Sequence, residues 1–144
     1  MGTNTKLGTQ GPASLILIRL LVGGVFITEG LQKLLFPGIL GASRFAELGF
    51  PVPRTTATAV GVIEVVAGGA VLVGLATRLA AVFLLLIALG AIITTKIPIL
   101  LGHGIWVFPV QDNVSRYGVW GFFHEWRGDI AMLLGSLYLL IAID

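Results

Sequence analysis

Cysteine is absent from the 144 residues of this chain. That excludes disulfides, thiolate metal sites, cysteine-bound iron–sulfur clusters and cysteine nucleophiles, and it leaves the redox state of the compartment open. Charge is nearly as scarce. Only 11% of the residues are Asp, Glu, Lys or Arg, against about 25% in soluble domains. The net charge of +2 is scattered, with no basic run and no Lys/Arg-rich helix face, so no nucleic-acid partner is expected. No glycine-rich dinucleotide fingerprint appears either. Hydrocarbon takes the place of charge: 56% of the residues are hydrophobic and the mean hydropathy is +1.00. One small domain fits this length, with lipid as its solvent.

A membrane-spanning helix needs about 20 apolar residues. After a polar tail, 1–13, the sequence predicts a single transmembrane domain over 14–144, with helices at about 14–35, 56–75, 79–96 and 122–143. Pro12 and Ser14 suit the first start, and Pro98 is expected to end the third helix. The fourth becomes long enough only when extended back to Phe122, which brings His124, Glu125, Arg127 and Asp129 into its first turns. The first segment is read as a retained helix rather than a signal peptide, because Glu29 and Lys33 lie inside it and no A-x-A cleavage site follows. The expected fold is all-α, an integral membrane four-helix bundle with both termini on one side.

Two connections are substantial. The first, 36–54, holds three of the six prolines, and its SRFAELGF stretch can form an amphipathic turn. The second, Ile97 to Gly121, is too apolar for a free loop and too broken by glycine and proline for a span. Trp106, Phe108, Tyr117 and Trp120 suit headgroup depth. The segment is expected to be interfacial or re-entrant between helices three and four, covered by protein or a wet cavity. The turn at Thr77 and Arg78 is very short, so helices two and three are antiparallel neighbours.

Six charged residues lie in or against these apolar stretches: Arg19, Glu29, Lys33, Glu64, Lys96 and Asp129. A charge in hydrocarbon costs about 3 kcal/mol or more and persists mainly when paired or used. At 100° per residue, Arg19, Glu29 and Lys33 fall in about one quadrant of helix one, and Glu29 with Lys33 is a favourable i,i+4 pair. Glu64 shares its face with Ala57, Gly61, Ala67 and Gly68, small residues that let a neighbouring helix come close. Its expected partner is Arg19 or Lys33. Glu125 and Asp129 place two carboxylates on one face, which repel unless Lys96 or an arginine lies between them.

Each residue also has a purely structural reading. Arg19 with Glu64 could only fix helix register, and Lys33 and Lys96 could snorkel at helix ends. His103 and His124 could be interfacial residues bonded to carbonyls. Their spacing matches no metal motif, HEWRG lacks the second histidine of H-E-x-x-H, and a site from His103, His124, Glu125 and Asp129 is weakly signalled. The RGD at Arg127 to Asp129 lies in an apolar context that forbids display as an adhesion loop. The glycine pairs at 23–24 and 68–69 suit helix packing.

Together, RLLVGGVFITEGLQKLLFPG, ELGFPVP and GVIEVVAGGAVLVGLATRLAA resemble the DoxX family of small bacterial membrane proteins. The matching features are Arg19 opening helix one, Gly30 with Lys33 at its end, Glu64 inside helix two, and the G-L-x-T-R turn at Gly74 to Arg78. The resemblance covers about residues 14–143. It implies a four-helix protein of the bacterial inner membrane, with some relatives in quinone-linked sulfur-oxidising complexes and others tied to oxidative stress.

Two function classes remain. One is a redox-associated membrane subunit whose polar core binds a quinone headgroup. Glu64 or Asp129 would shuttle protons, Lys33, Lys96 or His103 would bond the carbonyl oxygens, and a soluble redox partner would supply electrons. The polar cluster Lys33, Glu64, Lys96, His103, His124, Glu125 and Asp129 would then line one cavity opening toward the Ile97–Gly121 cap. The other is a non-enzymatic small-solute transporter or a membrane assembly protein, alone or as a homo-oligomer, with the charges as a path or a lock. No inverted repeat is visible to favour a carrier.

Overall fold

The computed structural model describes residues 12–110 and 117–142. Nearly all of the expected polar tail, Arg116 and the last two residues therefore lie outside the described residues. Helices α1 (Pro12–Leu35), α2 (Ala42–Glu47), α3 (Pro53–Val73) and α4 (Thr77–Ala91) come first. A π-helical turn, Ile92–Lys96, carries α4 directly into α5 (Ile97–Leu101), and α6 (Val119–Glu125) and α7 (Arg127–Ala142) complete the chain. The described residues contain no strand, only one isolated bridge between Ile105 and Phe108. Three stretches are long and apolar enough to cross a membrane: Ser14–Leu35, Pro53–Val73 and Thr77–Leu101. The protein is an all-α membrane bundle, and a lipid bilayer is its environment.

The bundle is built from two antiparallel pairs, α1 with α3 and α4 with α7. Glycine sets the first. A Cβ on Gly30 would stand 2.6 Å from the Gly61 carbonyl oxygen, and one on Gly23 would stand 2.8 Å from that of Gly68. The two backbones therefore touch at both levels, and only small residues permit it. Between the pairs lies the core: Val22, Phe26, Val71, Leu84 and Leu139 are buried there with alanines 67, 80, 81 and 88. The outer faces carry Leu17, Leu20, Val66, Leu79 and Ile141, exposed as lipid-facing residues should be.

Several boundaries differ from expectation. Helix α3 starts at Pro53 rather than 56, because proline at a first helical position has its φ already set and needs no N–H acceptor. Pro98 does not end the third helix. The preceding π-turn, in which the Ile97 N–H bonds to the Ile92 carbonyl, leaves Pro98 in the first turn of α5, where a missing N–H costs nothing. The fourth segment is not one helix. It breaks at Trp126 (φ −90°, ψ 2°), between Gly121 and Gly128, and glycine is among the weakest helix formers. The Trp126 ring lies 4.6 Å from that of Phe122.

The connections pack on each other. Ile105 and Phe108 exchange backbone hydrogen bonds of 2.9 and 2.8 Å, closing a tight hairpin. Gly49, at φ +96°, runs against the Val107 carbonyl so closely that no side chain would fit. Rings then run from one connection to the other: Phe45 stacks on Phe50, Phe50 meets Phe108 edge to face, and Phe108 meets Trp106 likewise, with centroids 4.9, 4.9 and 5.6 Å apart. Trp106 and Trp120 are left 85% and 71% exposed, as anchors at headgroup depth would be.

Candidate functional site

Lys33 stands in the last turn of α1, where a cation is favoured by the helix dipole. Its ammonium lies 3.0 Å from Glu64 of α3 and 3.8 Å from Glu29, one turn back on α1. It also donates to the Glu29 carbonyl oxygen at 3.5 Å. Glu64 is 4% exposed. Across the bundle, Lys96 closes the π-turn with its ammonium 2.9 Å from Asp129 of α7 and 2.9 Å from the Thr95 hydroxyl. Thr94 and Thr95 donate their own protons back to the Gly90 and Ala91 carbonyls, so their lone pairs remain available as acceptors.

These two charged groups line one cavity of about 510 Å³ between α1, α2, α3 and α4. Glu29, Gln32, Lys33 and Glu64 form one polar margin, Thr94, Thr95 and Lys96 another, and Arg44 of α2 adds a third cation. The walls between them are apolar: Val60, Ile63, Phe83, Leu86 and Ile87 from the long helices, Phe45, Leu48 and Phe50 from the 36–54 connection. Among the described residues, that connection lines the cavity and the 97–121 segment does not. The hairpin at 105–108 backs it through the Phe50–Phe108 contact. Arg44 lies 3.8 Å from Glu47 on the same short helix.

The expected site residues separate into three groups. Glu29, Lys33, Glu64 and Lys96 come together on the cavity wall, with Asp129 held behind Lys96. His103, His124 and Glu125 do not line it. His103 is exposed with Nδ1 3.0 Å from the Gly104 carbonyl. His124 is exposed with Nδ1 3.3 Å from Arg127. Among the described residues no three His, Asp or Glu side chains gather as a metal site. Arg19 is elsewhere: its guanidinium lies on Gly74, at the far end of α3. The glycine contacts decide this, because pairing Gly30 with Gly61 brings Lys33, not Arg19, beside Glu64. Residue-type reasoning missed Gln32, Arg44, Thr94 and Thr95. A visible signal existed for the threonines: two hydroxyls directly before a lysine, two residues short of a proline.

The DoxX family model matches residues 14–97, which includes every charged residue of the cavity wall. The chain belongs to the DoxX family. It is 45% identical over 134 residues to an uncharacterized membrane protein of Mycobacterium tuberculosis, covering 93% of this chain and 77% of that one. It is 37% identical over 98 residues to a Bacillus subtilis protein named "Putative oxidoreductase CatD", covering 67% of this chain and 66% of that one. No solved structure matches. The matched stretch ends one residue past Lys96, so Asp129, which holds that lysine in place, comes from outside it.

Proposed function

We propose that this DoxX protein binds a flat, apolar ring compound with polar edges, of the quinone–quinol class, in the 510 Å³ cavity, and serves a redox-associated complex of the bacterial inner membrane. The observation that carries the reading is the disposition of the buried charges. A structural lock needs only ion pairs in a packed core. Here Glu64, Lys33 and Lys96 sit on the wall of an apolar cavity whose volume lies within the usual ligand-site range of about 300–1,000 Å³. The donor set fits such a ligand. Lys96 commits two of its three N–H groups to Asp129 and Thr95, and keeps one for a carbonyl oxygen. The Glu64 carboxylate accepts from a hydroxyl. A quinone–quinol pair supplies two-electron, two-proton chemistry, and the family resemblance and the name of the Bacillus relative favour redox work.

The residues also suggest a proton route. Glu64 is buried, Glu29 is half exposed, and Lys33 bridges them at 3.0 and 3.8 Å. A proton taken up at Glu64 can leave through Glu29 without crossing apolar wall. The sequence offers no cysteine or dinucleotide motif to hold electrons, so these pass to a partner.

Gly90 provides the test. It lines the cavity, and a Cβ placed on it meets nothing within 4 Å. Gly90→Leu therefore puts bulk into the cavity with open room at its Cβ, and it improves helix propensity by up to about 1 kcal/mol. In detergent, a short-chain quinone should raise the melting temperature of the parent protein saturably. Gly90→Leu should be at least as stable as the parent and show no such rise. A quinone response that survives in Gly90→Leu, or is missing from the parent, leaves the charges as a lock only.

A further inference from the structure

The bundle has a second polar end that the cavity does not use. Arg19 lies five residues inside the span that starts at Ser14. Its guanidinium is flat against the α3–α4 turn: Cζ, Nη1 and Nη2 each lie 3.3 Å from where a Cβ on Gly74 would stand. The Nε is buried and has no hydrogen-bond partner. Among the described residues no carboxylate pairs with it. Glu64 is ten residues from Gly74, about 15 Å along α3, and is held by Lys33. An arginine in an apolar span is costly unless an anion or backbone carbonyls meet it, and its buried Nε meets neither.

The turn that Arg19 faces carries several unmet donors. The first-turn N–H groups of α4 lack intrahelical acceptors, and Ala76, at φ 49°, gives them no side-chain cap. Thr77, in that same turn, is 4% exposed, and its hydroxyl has no partner. Arg78 comes next, exposed. One turn thus carries the Arg19 guanidinium lying on it, a second arginine, an unpartnered hydroxyl and a helix N-terminus, and among the described residues no carboxylate pairs with either arginine. The depth fits a lipid headgroup. Five residues of helix rise about 7.5 Å, within the reach of an arginine that extends toward the membrane surface.

We propose that Arg19, Arg78 and the first turn of α4 bind a phosphate group, supplied by an anionic phospholipid headgroup. The site is independent of the cavity, and its ligand is structural to the α3–α4 turn. Charge-assisted, bidentate contact from guanidinium to phosphate is the strongest form of such recognition, and a helix N-terminus favours the same charge.

The test is native mass spectrometry of the full, delipidated chain in detergent, titrated with phosphatidylglycerol, phosphatidylcholine or inorganic phosphate. The parent should retain one phosphatidylglycerol about tenfold more tightly than Arg19→Gln, and should prefer it to phosphatidylcholine. Arg78→Gln, an exposed change that leaves folding intact, should weaken retention by several-fold even if Arg19→Gln fails to accumulate. Equal lipid retention in the parent and Arg78→Gln overturns the proposal. So does a parent that binds inorganic phosphate but shows no lipid preference, which makes the source aqueous. Asp144, outside the described residues, is the internal alternative. If Asp144→Asn lowers stability as Arg19→Gln does, with no lipid dependence in either, an intramolecular ion pair replaces the lipid.

Discussion

The Lys33–Glu64 pair can be weighed by a double-mutant cycle. The side chains are 14% and 5% exposed and 3.0 Å apart. Removing one partner of a buried pair costs about 3–5 kcal/mol, because the other charge is stranded, whereas replacing both by apolar residues is often neutral. Glu29 softens one side of this. It lies 3.8 Å from the same ammonium, with half its side chain in solvent, and exposed pairs of that kind are worth about 0–1 kcal/mol. Glu64→Gln should therefore destabilise by about 2–4 kcal/mol. Lys33→Met should cost more, since no second cation among the described residues contacts Glu64. For a chain of this size each kcal/mol moves the midpoint by about 2–4 °C, so circular dichroism melts in detergent resolve both. The double change Lys33→Met with Glu64→Leu should recover most of the loss, with a coupling of at least about 2 kcal/mol. If Glu64→Gln melts with the parent, or the double variant is as damaged as the sum of the singles, the pair does not hold α1 to α3.

Glycine packing and membrane orientation give two more expected outcomes. Gly30→Ala puts a Cβ 2.6 Å from the Gly61 carbonyl and should prevent accumulation, while Gly24→Ala, whose Cβ meets nothing within 4 Å, should be neutral or slightly stabilising; immunoblots of membrane fractions compare them. The side bearing Arg44, Arg54, Lys96, Arg116 and Arg127 outweighs the side with Lys6 and Arg78, so the former should be cytoplasmic; a phosphatase fused after Asp144 should be active, and a cytoplasmic reporter there should not.

Much of the fold is legible in the residues, and the parts that are not have identifiable causes. The long spans come from apolar length alone. That Glu64 faces a tight helix contact is readable from Ala57, Gly61, Ala67 and Gly68 on its own face. Its partner stays open between Arg19 and Lys33 because both lie on one quadrant of α1. Only the register, set by Gly30 against Gly61 and Gly23 against Gly68, separates them. The histidines stand out by type, yet His103 and His124 are exposed and away from the cavity. Glu125 loses its face-sharing partner where the helix breaks at Trp126, a break that periodicity does not reveal.

The π-turn gives the cavity its second polar margin. An uninterrupted α4 would bring Pro98 against the Thr94 carbonyl and end there. The widened turn at 92–96 lets the helix continue, and rotates the residues beyond it by about 100° relative to regular helix. The carbonyls of Gly90 and Ala91, at its mouth, accept the Thr94 and Thr95 hydroxyls. That rotation leaves Lys96 on the cavity wall while its ammonium still reaches Asp129 on α7. The wider turn serves the span by seating Pro98, at the cost of a regular hydrogen-bond pattern in lipid. The irregularity is sited where three cavity residues, Thr94, Thr95 and Lys96, are consecutive in the chain. The residues that seat Pro98 thus also furnish the cavity's second polar margin, and they add to the disposition of the buried charges as support for a ligand there.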